Sequence, residues 1–434
     1  MTIDRDAPCL PSVFDVDAAA AACVGATTLA VAALWHDRGG PAPSARTSVR
    51  EATTSFRSEQ FLRVDGEAPK LWADLSGDYP AADGWVRLHC NFRHHQAAAL
   101  AALGVERDRD AVAAAVATRG AEELVEAVTA EGGCATSMRP LAAWREHPQG
   151  SAVAQLPLIA TDRIGEAPVR LPGAADRPLG GVRVLDLTRV IAGPVCGRVL
   201  ASHGAEVLRV GAAHLPTFAT LDLDTGFGKR WCNLDLRTPD DRDTFAALVR
   251  DADVVVQSYR PGSLAGLGLG ASDLAALRPG VVVVSLSAYG QAGPWSERRG
   301  FDSLVQLASG LAHEQAVVSG VDRPVALPCQ ALDHGSGWLA ALGAVAALRR
   351  RAREGGSWHV RVSLARTSAW LDSLGRVDRL GLTAPDASQL GDLLGDDETP
   401  AGRVTHVRPV GTVGGAPPRW DRPPPAPGQD GPSW

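Results

Sequence analysis

Residues 182–188 read Val-Arg-Val-Leu-Asp-Leu-Thr, a short strand that stops where Arg189 begins a turn. A helix is expected from Pro194 to His203, opening just after Gly193-Pro194, and Glu206-Val-Leu-Arg-Val210 is the next strand. Downstream, Val254-Val-Val-Gln-Ser258 and Val281-Val-Val-Val-Ser-Leu286 are short, β-branched, apolar runs of the kind that belong to strands buried on both faces of a parallel sheet. Between them a helix over 239–250 starts with Pro239 in its first turn, where a missing N–H costs nothing. A long helix over about 334–353, a strand over 359–364 and a further helix complete the series. Strands alternating with helices through right-handed crossovers predict an α/β fold, a doubly wound, Rossmann-like parallel sheet domain.

Outward from that core, Leu171-Pro-Gly-Ala-Ala-Asp-Arg-Pro-Leu179 is a breaker-rich boundary. Upstream of it, Trp85-Val-Arg-Leu-His89 alternates like a half-buried strand, and 107–131 reads as helices built from Ala, Val, Leu and Glu. The expected division is an N-terminal helical segment over 1–70 and a smaller α+β domain over 71–175. The Rossmann-like domain follows over 176–375, then a Pro/Gly-rich tail over 376–434, extended on the surface. One faint internal echo is present, Ile164-Gly-Glu-Ala-Pro168 against Val413-Gly-Gly-Ala-Pro417.

Composition narrows the function. With 43 basic and 49 acidic residues the formal charge is −6, and no basic run occurs, which excludes the usual nucleic-acid binders. The seven cysteines are scattered without a CxxC spacing, so neither a disulfide framework nor a zinc site follows. No charged segment leads into a hydrophobic one at the N-terminus, and the Ala-rich stretch 18–34 reads as too short and mild for a bilayer. The expectation is a reduced, cytoplasmic enzyme with no membrane and no nucleic-acid partner.

The common cofactor motifs are missing. Thr188-Arg-Val-Ile-Ala-Gly-Pro-Val-Cys-Gly197 follows the first strand in place of GxGxxG, and Gly226-Phe-Gly-Lys-Arg230 lacks the Ser or Thr of a phosphate-binding loop. His94-His95 has no acidic or Cys partner at ligand spacing, so a surface or interface role is expected and no metal. Asp333, in Ala331-Leu-Asp-His-Gly-Ser-Gly337, stands before an apolar helix. Its local reading is a plain N-cap, worth about 1 kcal/mol. The position also suits a nucleophile, because a helix N-terminus favours the anion. Gly335 and Gly337 would admit a substrate to the backbone, and free N–H groups would hold an oxyanion.

Taken in order, several segments resemble the family III CoA transferases, the group of formyl-CoA transferase, carnitine-CoA transferase and the 2-methylacyl-CoA racemases. They are Pro178-Leu-Gly-Gly-Val-Arg-Val-Leu-Asp-Leu-Thr-Arg-Val-Ile-Ala-Gly-Pro194, Gly204-Ala-Glu-Val-Leu-Arg-Val210, Gly228-Lys-Arg-Trp-Cys-Asn-Leu-Asp-Leu236 and Ser287-Ala-Tyr-Gly-Gln-Ala-Gly-Pro294. Ala331-Leu-Asp-His-Gly-Ser-Gly337 falls where the family has its catalytic aspartate, and Val360-Arg-Val-Ser-Leu364 closes the match. The resemblance implies that Asp333 attacks an acyl-CoA thioester to give an acyl–aspartyl anhydride, then an aspartyl-CoA thioester, from which an acceptor carboxylate takes CoA. It further implies CoA contacts at Arg189, Ala192, Lys229, Arg230 and Arg299, and a pocket mouth shaped by Tyr289 and Gln291.

By the same resemblance no cofactor is tightly bound, the CoA thioester is the substrate, and the protein is a homodimer. Racemases of the group carry a His where Phe301 stands here, which disfavours racemization. The order is also unusual. Gly77-Asp-Tyr-Pro-Ala-Ala-Asp-Gly-Trp-Val-Arg-Leu88 and Ala143-Trp-Arg-Glu-His-Pro-Gln149 look like the family's second half moved in front, a permuted arrangement or a fusion of two part-copies. The alternatives are an acyl-CoA racemase or isomerase, and a non-catalytic acyl-CoA-binding protein.

Overall fold

The structure, a computed structural model, describes residues 1–434. Its centre is a seven-stranded sheet in the order Lys229–Asn233, Glu206–Gly211, Arg183–Leu187, Val254–Gln257, Val282–Ser287, Ser357–Ser363, Ala160–Gly165. The first six strands are parallel and the last is antiparallel. This is the doubly wound α/β arrangement the sequence predicts. Strand direction of travel across the sheet reverses between Arg183–Leu187 and Val254–Gln257, and a crevice forms outside the carboxyl ends of the strands at such a point.

Successive side chains leave the sheet on opposite faces. Val184, Val207, Val254, Val256, Val282 and Val284 join one core with Val195 of the helix Ala192–Ser202 and Leu339 and Ala344 of the helix Ala331–Glu354. Leu185, Leu208, Val255 and Val283 join another with Phe245, Leu248 and Leu274 from the helices Pro239–Arg250 and Ala271–Leu277. Both faces are covered, which is why these strands carry almost no polar alternation.

In chain order the smaller α+β unit comes first. Strands Gly77–Ala81, Gly84–Leu88 and Ala135–Ser137 form an antiparallel sheet. Helices Arg93–Leu103, Arg109–Ala117 and Ala121–Ala130 cover it, closing a core of Tyr79, Val86, Leu88, Val112, Val116, Leu124 and Val128.

The N-terminal segment is less purely helical than expected. Strand Ala45–Ser48 lies parallel to Thr2–Asp4 and antiparallel to Thr412–Val413, making a separate three-stranded sheet. The helix Val16–Asp37 is long and apolar enough to cross a membrane by length and composition, with a mean hydropathy of 1.8. Here it packs against Ala331–Glu354, burying Ala20, Val24, Val31 and Leu34, and Thr27 Oγ1 donates to the Trp338 carbonyl at 3.0 Å. Its apolarity is therefore that of a core helix.

The tail also departs from the expected extended form. Leu394–Thr399 and Gly402–Val407 make a hairpin. Cross-strand polar pairs hold it, Arg403 to Asp396 at 2.8 Å and His406 to Asp397 at 2.9 Å. Such pairs are invisible to a composition argument dominated by Pro and Gly.

Candidate active site

A cavity of about 440 Å³ opens at the sheet's reversal point. Its walls are the carboxyl ends of three strands: Leu187 and Arg189 at the end of Arg183–Leu187, Ser258, Tyr259 and Arg260 after Val254–Gln257, and Leu286 and Ser287 of Val282–Ser287. The small unit closes the mouth with Phe92, His94 and His95, and Asp333 lies in the wall.

The first turn after Arg183–Leu187 is strained. Val190 lines the cavity at φ 74°, a left-handed conformation that a β-branched side chain resists and that costs about 1–3 kcal/mol. That turn aims Arg189 at the cavity and starts the helix Ala192–Ser202, which has no side-chain cap. Ile191, Ala192 and Gly193 therefore face the cavity from a helix N-terminus, an arrangement suited to phosphate.

Four arginines, 189, 260, 298 and 299, line the same space. Arg189 donates to the Pro216 carbonyl at 3.0 Å, Arg299 to the Gly132 carbonyl at 2.9 Å, and Arg298 to Thr129 Oγ1 and the Ala135 carbonyl at 3.3 Å each. These bonds go to neutral groups, so the positive charge around the cavity is not neutralised by carboxylates. Arg298 and Arg299 also tie the loop before the helix Asp302–Ala308 to the small unit.

Asp333 is the third residue of the helix Ala331–Glu354, 6% exposed, and its carboxylate accepts no hydrogen bond from the protein. The helix is capped from outside. Asp302 Oδ2 accepts the backbone N–H groups of Leu332 at 2.8 Å and Asp333 at 2.9 Å, while Gln306 donates to Oδ1. The N-cap reading of Asp333 is thereby overturned, because Asp302 performs that task. It also follows that the Leu332 and Asp333 N–H groups are not free to hold an oxyanion. Burial raises the Asp333 pKa well above the carboxylate range, and the charges of Asp302 and Glu59 push it further. Burial raises Asp302 too, but its three donors favour its anion. Physically, the shared proton belongs on Asp333.

His334, next along the helix, points away from the cavity. Its Nε2 meets Glu59 Oε2 at 2.9 Å and its ring stacks on Phe56 at 5.7 Å between centroids, both from the N-terminal segment.

Residues 179–389 match the family model described as CoA-transferase family III. This part of the chain belongs to CoA-transferase family III. It is 33% identical over 319 residues to an acyl-CoA transferase of Gibberella moniliformis, covering 68% of this chain and 56% of that protein. Over 149 residues it is 35% identical to the human succinyl-CoA:glutarate CoA-transferase, covering 32% of this chain and 34% of that one. The chain thus spans about half or less of the length of these relatives. The crystal structure of Rv3272 from Mycobacterium tuberculosis is 34% identical, with a TM-score of 0.42 over 46% of this chain and 58% of that one.

The residues singled out in the family III resemblance do not all meet. Asp333, Arg189, Ala192 and Arg299 share the cavity. Lys229 does not line it; the side chain is 1% exposed, bonded to Asp186 Oδ2 at 2.7 Å and the Pro194 carbonyl at 2.8 Å beneath the helix Ala192–Ser202. Arg230 bonds the Ser433 carbonyl at 2.7 Å on the outer edge of the sheet. Tyr289 is buried against Trp295 with its hydroxyl unpartnered, behind the cavity wall. Gln291 lines a separate small cavity with Gln257, Ser285 and His359.

Gly337 serves packing rather than substrate approach. A Cβ there would stand 2.5 Å from the Ala192 carbonyl oxygen and 2.8 Å from Val195. At Gly335 the nearest atom would be Thr367 Cγ2 at 3.2 Å.

His94 and His95, for which the sequence suggests a surface or interface role, line the cavity. Burial lowers the pKa of His95 to about 3 and that of His89 to about 3, so both are neutral. His89 stacks on Phe301 with centroids 3.7 Å apart and planes 4° apart, and His95 meets the Phe301 edge at 5.7 Å. The position that carries a proton-transferring His in the group's racemases is here part of an aromatic wall. Arg260, within the family-like segment Tyr259-Arg-Pro-Gly262, and Arg298, in a loop with no motif, join the cavity without having been expected as contacts.

Proposed function

We propose that the protein transfers coenzyme A from an acyl-CoA thioester to a carboxylate acceptor, with Asp333 carrying first the acyl group and then CoA. The observation that carries this reading is an Asp333 carboxylate with no protein hydrogen bond, set in the wall of an arginine-lined cavity. A carboxylate buried only for stability would be expected to have partners.

The steps balance as follows. Once its proton has passed to solvent, an Asp333 carboxylate oxygen attacks the thioester carbonyl, the C–S bond breaks, and CoA leaves as thiolate, giving a mixed anhydride. The thiolate attacks the aspartyl carbonyl and expels the acyl carboxylate, giving aspartyl-CoA. An acceptor carboxylate attacks that thioester, forming a second anhydride, and the thiolate then attacks the acceptor's acyl carbon and frees Asp333. No water enters, so the thioester energy is kept.

The raised Asp333 pKa fits this use. A carboxylate poorly solvated in the resting site is more reactive than one held by donors. Arg189, Arg299 and the uncapped N-terminus at Ala192 would take the CoA phosphates, with Arg260 and Arg298 beside them. The neutral His94, His95 and Phe301 wall would face the acyl portion. Seven free cysteines fit a reducing compartment such as the cytoplasm.

The test is intact-protein mass spectrometry after exposure to a panel of acyl-CoAs, comparing wild type with Asp333→Asn. Wild type alone should gain the mass of an acyl group or of CoA. Binding of CoA with no added mass in either protein would remove the transferase reading and leave a binding protein.

A further inference from the structure

Two stretches of this chain fold alike. Around Asp333 run the helix Ala331–Glu354, the strand Ser357–Ser363 and the helix Leu364–Ser373. The N-terminal segment runs through the helix Val16–Asp37, the strand Ala45–Ser48 and the helix Val49–Ser55. Sequence repeats with structure. Val31-Ala-Ala-Leu34 matches Val345-Ala-Ala-Leu348, Gly39-Gly40 matches Gly355-Gly356, and Arg46-Thr-Ser48 matches Arg361-Val-Ser363. Ser48 and Ser363 each cap the helix that follows, accepting the N–H of Glu51 at 3.0 Å and of Arg366 at 3.3 Å.

The sheets repeat as well. Ala45–Ser48 is parallel to Thr2–Asp4 and antiparallel to Thr412–Val413, as Ser357–Ser363 is parallel to Val282–Ser287 and antiparallel to Ala160–Gly165. In each sheet the matched arginine stands between two neighbours, Arg46 across from Thr2 and Thr412, and Arg361 across from Ser285 and Ala160. The faint echo in the sequence now has a place, since Gly165-Glu-Ala-Pro168 and Gly414-Gly-Ala-Pro417 each follow the antiparallel strand.

The two units exchange parts. Ala160–Gly165 lies downstream of the N-terminal unit in the chain yet completes the sheet beside Asp333. Thr412–Val413 lies downstream of the Asp333 unit yet completes the N-terminal sheet. Side chains cross in the same sense: Glu59 reaches His334 at 2.9 Å, and Arg379 reaches Asp15 at 2.7 Å and Asp17 at 3.1 Å.

We infer that residues 13–56 and 327–371 are two copies of one catalytic unit, interlocked within a single chain, of which only the second has a reactive carboxylate. This rests on Asp333 being the acyl carrier. In the register set by Val-Ala-Ala-Leu, Asp333 corresponds to Ala19, and the third residue of the N-terminal helix, Ala18, is alanine as well. A methyl group forms no anhydride or thioester. The nearby carboxylates are committed: Asp15 caps its helix through the Ala18 N–H at 3.1 Å, and Asp17 accepts from Cys9 Sγ at 3.3 Å, each also binding Arg379. The chain thus has one reactive carboxylate, and the silent copy packs Val16–Asp37 along the Asp333 helix without lining the cavity. On this inference the two units pair within one chain, not between two.

The test combines three readings on the full chain. Wild type is reacted with acyl-CoA, its adducts are counted per chain and mapped to peptides, and its mass in solution is measured by light scattering with and without acyl-CoA. One adduct per chain, on the peptide holding Asp333, from a protein that stays near 45.3 kDa is expected. An adduct within residues 13–56, or a dimer whose dissociation abolishes adduct formation, would overturn the inference. If no adduct forms anywhere, the transferase reading fails, while the solution mass still decides whether the units pair within one chain.

Discussion

Asp302 accepts the backbone N–H of Asp333 at 2.9 Å, so one buried carboxylate caps the helix that presents another. The capping carboxylate has three donors and the presented one has none, yet they share one low-dielectric site. Two like charges there cannot both ionise cheaply, and the poorly solvated member keeps the proton. Burial first, and the Asp302 charge after it, therefore set the pH at which Asp333 loses its proton.

Asp302→Asn should move the acid limb of adduct formation to lower pH, by about 1–3 units, the usual reach of a close charge. The amide oxygen still accepts the two backbone N–H groups, so the helix stays capped. Adduct formation followed against pH in both proteins checks this. An unmoved limb would mean that burial alone, without the Asp302 charge, sets the Asp333 pKa.

Asp333→Asn should stabilise the protein, and more so as pH rises. The Asp333 pKa is raised on folding, so between the ordinary carboxylate range and the raised value the folded state binds more protons than the unfolded one. Stability from this group is complete at acid pH and is lost as pH rises through the folded pKa. Asn has no proton to lose. Denaturant melts at pH 5 and pH 8 should show the variant's advantage growing at the higher pH, and an advantage that shrinks would contradict the sign.

Lys229→Met should cost about 3–5 kcal/mol in unfolding free energy, because it leaves Asp186 buried without its counter-ion. Lys229 was read from sequence as a CoA contact, and its pKa is lowered by burial that Asp186 opposes. A variant as stable as wild type but with a raised KM for acyl-CoA would return Lys229 to the binding site.

What could be read from sequence follows from how local each signal was. Val182–Thr188 announces a strand, Val254–Ser258 and Val281–Leu286 announce strands covered on both faces, and the order of the segments placed Asp333. The pairing of the N-terminal segment with the Asp333 helix left no such mark, because its matched residues, Val-Ala-Ala-Leu and Gly-Gly, are common in any Ala-rich chain. Only the shared pattern of strand pairing makes them a repeat. Asp302 could not be read as a cap from sequence, since the helix it caps begins 29 residues later in the chain. Lys229 failed for the opposite reason. A Lys-Arg turn looks exposed in sequence, and only the fold shows that the strand Lys229–Asn233 points the lysine inward.

Val190→Gly should leave stability within about 1 kcal/mol of wild type, although it removes a whole side chain. Relief of the strain at φ 74° offsets the glycine's greater backbone freedom, roughly 0.5–1 kcal/mol. The loosened turn should hold Arg189 and the Ala192 N-terminus less firmly and raise KM for acyl-CoA. Melting and steady-state kinetics on the same sample separate the two effects. A loss of several kcal/mol would show that the Val190 side chain contributes packing that outweighs its strain.

The arginines give the sharpest contrast. Arg189→Gln and Arg299→Gln each remove a guanidinium that faces the cavity, bonded only to neutral oxygens. A charge-assisted bond to phosphate is worth about 1.5–3 kcal/mol, so each change should raise KM for acyl-CoA about 10- to 150-fold while adduct formation at saturation changes less. Arg230→Gln is the comparison, because its guanidinium bonds the Ser433 carbonyl and lies 3.6 Å from Asp430 and Glu206 on the sheet's outer edge. Its KM should stay within about twofold, since exposed pairs of this kind contribute 0–1 kcal/mol to stability and nothing to a distant cavity. Steady-state titration with acyl-CoA at two salt concentrations checks both, as phosphate contacts weaken with salt. Equal KM changes for Arg189 and Arg230 would place the CoA phosphates along the sheet edge instead of over the first turn.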